Sequence, residues 1–178
     1  EEGCQEDSFD AVVGRGGLMK PIVSGTYAVS ESMLEDFRAA RYGEHASNLG
    51  AMLAIAIAGE DTPAYIVDPV VVDELDPVAR VSGMKVVERI SIFHALNQKA
   101  VAKRYAREKG VPYDQINLIV AHLGGGVSVA AHKKGRAVDV NNALDGEGPF
   151  SPERAGGLPV RDVIRLSYSG DFSEKELR

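Results

Sequence analysis

The chain has 178 residues, 44% hydrophobic and 26% charged, enough to bury a core in one or two domains. Its net charge of −6 disfavours nucleic acid as the main partner, because a phosphate backbone needs a basic stripe. A single cysteine, Cys4, excludes a disulfide framework and suits a reducing, cytoplasmic setting, and the longest apolar run, residues 51–58, is far too short to span a membrane.

In chain order, the opening Glu1-Glu2-Gly3 is acidic where a secretion signal would be basic. Residues 9–13 read as a short strand running into the glycine-flanked loop Gly14-Arg15-Gly16-Gly17. Ser30 is placed to cap a helix whose apolar positions Met33, Leu34, Phe37 and Ala40 recur at helical spacing, with Glu31 favourable near its start. Residues 45–58 are apolar nearly all round and predict a buried helix closed by Gly59. Residues 64–67 form a continuous apolar run, as in central parallel strands, stopped by Asp68-Pro69. Phe93, Leu96, Ala100 and Tyr105 mark the packed face of a long helix ended by Gly110 and Pro112, and its Lys99, Lys103, Arg104 and Arg107 read as a solvated face. Residues 117–122 predict a buried strand leading into Gly124-Gly125-Gly126. Residues 127–131 and 136–140 predict two strands joined at Lys133-Lys134-Gly135. Residues 160–168 begin a further helix, and residues 174–178 read as the inside of another. With no initiator Met at the other end, the chain is expected to be an internal piece of a longer polypeptide. A fresh set of strands near Asn117 sets the expected division at residues 1–115 and 116–178.

The segment His122-Leu123-Gly124-Gly125-Gly126 carries the most information. Glycine, lacking a Cβ, can adopt positive φ and lets backbone N–H groups approach a ligand, and successive N–H groups make a nest for an anion. Taken alone, the same residues equally describe a tight hairpin. Asp68 follows a strand directly, where open α/β sheets bind their ligands, so its carboxylate is a candidate for catalysis or for Mg²⁺; the alternative is a cap for the turn before Pro69. Arg15 and Arg154 lie in small-residue loops, and guanidinium groups match carboxylates and phosphates in two-pronged contacts, although a solvated surface arginine is the commoner fate. His45, His94, His122 and His132 have no zinc spacing, so no metal cage of protein ligands is expected. His94 falls in the first turn of the long helix, partly buried, where a neutral structural histidine is the plainer reading. His132, beside Lys133-Lys134, is expected to be exposed. There is no Walker A sequence, and no glycine fingerprint followed by an acidic ribose ligand.

Taken together, these segments resemble the acetate and butyrate kinase family, and within it the butyrate branch. The matching stretches are residues 11–17 (AVVGRGG), 43–50 (GEHASNLG), 65–70 (YIVDPV), 92–97 (IFHALN), 122–126 (HLGGG) and 139–154 (DVNNALDGEGPFSPER), in order across nearly the whole chain. The resemblance implies part of an α/β, actin-like and ribonuclease-H-like, two-lobed acetate-and-sugar-kinase fold, with residues 1–115 in the first lobe and 116–178 opening the second. It implies transfer of the ATP γ-phosphoryl group, with Mg²⁺, to a short-chain carboxylate, and the reverse. By position, His94 and Arg154 match the transition-state stabilisers, and Asp68 matches the active-site carboxylate. Arg15, His45 and Asn48 fall to substrate binding, and His122, Leu123, Gly124, Gly125 and Gly126 to the nucleotide phosphates. A homo-oligomer is expected. The chain departs from the family pattern in two places. Acetate kinases carry Arg-Val-Val-His-Gly-Gly where this chain has Ala11-Val12-Val13-Gly14-Arg15-Gly16, so Arg15 is a displaced replacement, and Gly-Asn-Gly becomes Gly124-Gly125-Gly126. The family's first phosphate strand and its adenosine-binding segment have no counterpart here.

A carboxylate nucleophile is already ionised at neutral pH and needs no general base, so Asp68 is better suited to orienting Mg²⁺ or its water than to taking a proton. The obstacle is repulsion between two anions, which arginines and N–H donors offset. Three other readings stand beside this one: an actin-like ATPase or sugar kinase, a phosphotransacylase-like enzyme using acyl-CoA, and a non-catalytic module.

Overall fold

The computed structural model describes residues 9–177, so Cys4 and Arg178 lie outside the described residues. Two three-stranded sheets organise it. In the first, β3 (Ala64–Val67) is central, with Ala64 and Ile66 buried. β1 (Val12–Arg15) pairs with it in parallel, Val12 opposite Ala64 and Arg15 opposite Val67, and β2 (Thr26–Ala28) pairs antiparallel on its other side. The matched register brings Arg15 and Asp68 out at the same carboxyl edge. The strand expected at 9–13 thus sits later, and Gly14 and Arg15 belong to it rather than to a loop.

α1 (Glu31–Arg38) forms as expected: Ser30 Oγ accepts from the Met33 N–H at 3.3 Å, and Leu34 and Phe37 are buried. The helix expected over 45–58 needs two corrections. A short 3-10 turn, Ala46–Asn48, comes first, and α2 runs Leu49–Ala58, ended by Gly59 at φ 65°. α2 is not buried all round. Ala51, Ala54 and Ala58 face the sheet, while Leu49, Leu53 and Ile57 are each more than half exposed. An all-apolar sequence carries no direction; the side that meets β1 and β3 takes the small residues, and Met52 packs toward Leu34 and Phe37 of α1.

The second sheet is an antiparallel meander of β4 (Asn117–Leu123), β5 (Val127–Lys133) and β6 (Arg136–Val140). Lys134 and Gly135 turn the β5–β6 hairpin with φ of 48° and 84°, as its sequence predicts. β4 is not the expected buried strand. It is an edge whose alternate residues Ile119 and Leu123 are exposed. One face of this sheet packs on the segment before it: Val72, Leu75, Ala79, Phe93 and Ala95 share a core with Ala130, Ala137 and Val140. Phe93, almost fully enclosed there, contributes roughly 1.5–3 kcal/mol by burial.

α3 (Ala95–Glu108) turns a different face inward from the expected one. Ala95, Gln98, Lys99, Ala102 and Ala106 are buried, whereas Leu96 and Tyr105 are exposed. Lys99 is no part of a solvated face: its Nζ donates to Glu74 Oε2 and, at 3.1 Å, to the Gly135 carbonyl. His132, expected to be exposed, is 1% exposed and held by Tyr113 and Gln98. Both errors have one source. The face of a helix or strand that turns inward depends on partners distant in sequence, and Glu74 and Tyr113 supply them. α4 (Val160–Ser167) forms where expected, α5 (Glu174–Leu177) follows, and neither buries a residue.

Candidate active site

Six short pieces of chain converge on one cleft of about 330 Å³. The end of β1 contributes Arg15, the turn before α2 contributes His45, and the residue before α3 contributes His94. The end of β4 contributes His122, its hairpin Gly125 and Gly126, and the following loop Glu153 and Arg154. Leu18, Val70, Ile92, Phe93, Ala143 and Leu144 make the rest of the wall apolar. A second cavity of about 320 Å³ shares Arg15, Val70, His94 and His122 with the first and adds Asp68 and Asn97.

Asp68 does not cap the turn before Pro69. Its backbone sits at φ 40°, and its Oδ1 accepts from Ser24 Oγ at 2.6 Å and from the Gly25 N–H at 2.9 Å, clamping an earlier turn. Its other oxygen lies 3.8 Å from Lys103 Nζ. His45 caps the 3-10 turn, its Nδ1 accepting from the Ser47 N–H at 3.1 Å. In the neutral ring the proton therefore sits on Nε2.

The three glycines do join a hairpin, Leu123 pairing with Val127, and none of them adopts positive φ, contrary to expectation. Side chains at these positions would crowd neighbouring side chains. A Cβ on Gly125 would strike the Glu153 carboxylate, one on Gly126 would lie 3.3 Å from His94 Cε1, and one on Gly124 would lie 3.2 Å from His122 Nε2. The Gly125 carbonyl accepts from Ser151 Oγ at 2.6 Å and from the Glu153 N–H at 3.2 Å, which ties the turn to the loop bearing Arg154.

The charge of this cleft is positive and poorly compensated. Arg15 pairs with no carboxylate among the described residues, and Arg154 lies only near Glu153, at 3.7 Å. Arg154 Nη1 donates to the Glu153 carbonyl at 2.9 Å, but its Nε is buried without an acceptor. A buried donor left open costs about 1–3 kcal/mol, so it marks a place for an anion. The imidazoles stay neutral. Burial, then His122, Arg15, Arg154 and His45, push His94 down to about 4. Burial and then Arg15 lower His122, and burial followed by Arg15 and Arg154 lowers His45 against the pull of Glu153. Among the described residues, no group of three or more His, Cys, Asp or Glu could hold a metal ion.

Of the residues expected at the site, the cleft brings together Arg15, His45, His94, His122, Gly125, Gly126 and Arg154, with Asp68 in the adjoining cavity. It does not bring in Asn48, whose Oδ1 accepts from the Leu18 N–H and whose Nδ2 donates to the Gly43 carbonyl, nor Gly124, nor Leu123, which is 76% exposed. Sequence reasoning missed Glu153, Asn97 and Ser128. Asn97 lay inside a stretch carrying the resemblance. Ser128 shares its strand face with Ala130 and His132, and that alternation was the available signal.

The structure superposes on the crystal structure of Porphyromonas gingivalis acetate kinase with a TM-score of 0.78 at 21% identity, covering 96% of this chain and 46% of that one. Residues 81–148 match the Acetokinase family. The chain carries part of the acetate-and-sugar-kinase fold. Its sequence is 61% identical over 178 residues to butyrate kinase 1 and 63% identical over 171 residues to butyrate kinase 2 of Clostridium acetobutylicum, covering 99% and 96% of this chain and 50% and 48% of those proteins. It is a homologue of the butyrate kinases, and it spans about half the length of the curated relatives it matches.

Proposed function

We propose that this chain is part of a short-chain carboxylate kinase that moves the γ-phosphoryl group of ATP to butyrate or a branched analogue, forming an acyl phosphate, and runs the reverse. The observation that carries this reading is a single cleft with an apolar wall, two arginines lacking adequate carboxylate partners, and three neutral imidazoles. The apolar wall suits a short acyl tail. The cationic end suits its carboxylate and a phosphate, two anions that must be brought into contact. A carboxylate oxygen attacks phosphorus, the bond to the departing ADP oxygen breaks, and no proton needs to move. Arg15 and Arg154 offset charge, while His94, His122 and the N–H groups of Gly125 and Gly126 donate to phosphoryl oxygens; the Gly124 N–H is taken by the Gly126 carbonyl. Magnesium bound with the nucleotide supplies further neutralisation. Such an ion would be held mainly by the nucleotide phosphates and water, with Asp68 as the nearby carboxylate.

The lobe division at 115/116 is part of this reading; it separates the strands of the two sheets, although residues 72–95 pack across it. The homo-oligomer expected above rests on the resemblance, and the cytoplasmic setting on cysteine usage. Hydroxylamine trapping of acyl phosphate by the full-length protein with ATP, Mg²⁺ and a series of acids tests the activity. Each methylene is worth only about 1–3 kcal/mol, so neighbouring chain lengths should react with graded efficiency around butyrate. No trapped product from any acid, or turnover requiring acyl-CoA, would remove the reading.

A further inference from the structure

His94 Nδ1 lies 2.8 Å from Ser128 Oγ, and which of the two supplies the proton decides what His94 offers the cleft. The hydrogen bonds behind Ser128 settle it. They start from a group that can only accept, the Ser128 carbonyl, which takes a bond from Gln98 Nε2 at 3.0 Å. The amide nitrogen of Gln98, not its oxygen, therefore faces Ser128. That nitrogen also donates to Ser128 Oγ at 2.8 Å, and the His94 backbone N–H adds a longer bond to the same oxygen at 3.4 Å. With donors on its lone pairs, the hydroxyl has its own proton free for His94 Nδ1. In the other direction the order is equally fixed. Gln98 Oε1 accepts from His132 Nε2 at 3.0 Å, so His132 Nδ1 is bare and accepts from the Tyr113 hydroxyl at 2.6 Å. Gln98 and Ser128 are wholly buried and His132 nearly so, which leaves no water to rearrange the chain.

We infer that Ser128 and Gln98 are positioning residues that lock His94 in its Nε2–H tautomer, so that a neutral imidazole presents an N–H donor to the transferring phosphoryl group. The opposite tautomer would turn a lone pair toward phosphoryl oxygens. His94 Nε2 is on the turn side of the ring, 3.4 Å from where a Cβ on Gly126 would stand. The groups acting on His94 resist a second proton from every direction: Arg15 at the end of β1, His45 before α2, His122 at the end of β4 and Arg154 in the loop after the hairpin. The kinetic consequence rests on the carboxylate-kinase reading; the tautomer does not.

The test is ¹⁵N NMR of histidine-labelled full-length protein near neutral pH, together with steady-state kinetics. The unsubstituted protein should show His94 with a bare Nδ1 and a protonated Nε2. Ser128→Ala should populate both tautomers and lower kcat about tenfold or more, with the nucleotide KM nearly unchanged. Gln98→Glu gives the Ser128 hydroxyl a carboxylate to donate to. It should shift the His94 proton to Nδ1 and cost about a hundredfold or more in kcat. A protonated Nδ1 in the unsubstituted protein, or an unchanged spectrum in both variants, would overturn the inference. The predicted spectra without any acyl phosphate formation would uphold the tautomer lock and remove the functional reading instead.

Discussion

The imidazoles of His94 and His122 lie face to face, with ring centroids 3.7 Å apart and planes 4° from parallel. Two rings stacked this closely cannot both be cations at modest cost, and Asn97 Nδ2 sits 2.9 Å from His122 Nδ1, so that nitrogen accepts and the ring's proton lies on Nε2. In the proposed reaction the pair would serve as two neutral donors beside two arginines.

A pH dependence follows. His94 and His132 are each pushed from 6.5 down to about 4, His94 chiefly by burial and then His122, His132 chiefly by burial and then Lys99. The unfolded chain takes up protons at these positions near 6.5, and the folded chain resists until about 4. This contribution to stability is fully present above 6.5 and declines as the pH falls toward 4. Denaturation midpoints measured across that window should fall with acid, and less steeply in His132→Gln. A flat or rising profile contradicts the assignment. In the kinetics, His94 should contribute no acid limb near its ordinary value.

Arg154 meets the cleft with a buried, unsatisfied Nε. A lysine offers one point charge where the guanidinium offers a fork, so Arg154→Lys in the full-length protein should lower turnover by about two orders of magnitude or more. Single-turnover kinetics would check it, and near-normal turnover would remove Arg154 from the proposed chemistry.

Gly125→Val should disturb the Arg154 loop before it disturbs any ligand. The added side chain must displace the Glu153 carboxylate, and the Gly125 carbonyl holds Ser151 and Glu153 in place. The expected result is loss of ATP binding by calorimetry with the protein still folded. Unaltered tight binding would reduce the turn to a plain hairpin.

The 178-residue polypeptide expressed alone should self-associate. Leu49, Leu53 and Ile57 on α2, Ile119 and Leu123 on the edge strand β4, and Val160 and Ile164 on α4 are all exposed, and such patches and open strand edges favour association. Sedimentation velocity would show species above the monomer, and acyl phosphate formation should fall below detection. A stable, active monomer would contradict both expectations.

The parts of this molecule legible in sequence are those set locally. Ser30 caps α1, the Val67–Asp68 junction stops β3, and Lys134-Gly135 turns a hairpin, because each depends on residues a few positions apart. What was not legible depends on distant partners. Nothing near Lys99 announces Glu74, and nothing near His132 announces Tyr113. The same holds at the site. Arg15 and Arg154 stood out by their small-residue loops, the resemblance gave them roles together with His45 and His94, and all four meet in one cleft, while Asn48, drawn from the same resemblance, spends both ends of its amide on backbone groups.

Gly14 and Gly50 carry a consequence for motion. A Cβ on Gly14 would strike the Gly50 carbonyl, and one on Gly50 would strike the Arg15 carbonyl, so β1 and α2 rest backbone against backbone. Asn48 extends the seam by accepting from the Leu18 N–H. With no flexible side chain between them, strand and helix cannot slide past each other without breaking close contact. The end of β1 that carries Arg15 is therefore fixed against the start of α2, so the place of that arginine in the cleft is set by backbone contact rather than by the packing of long side chains.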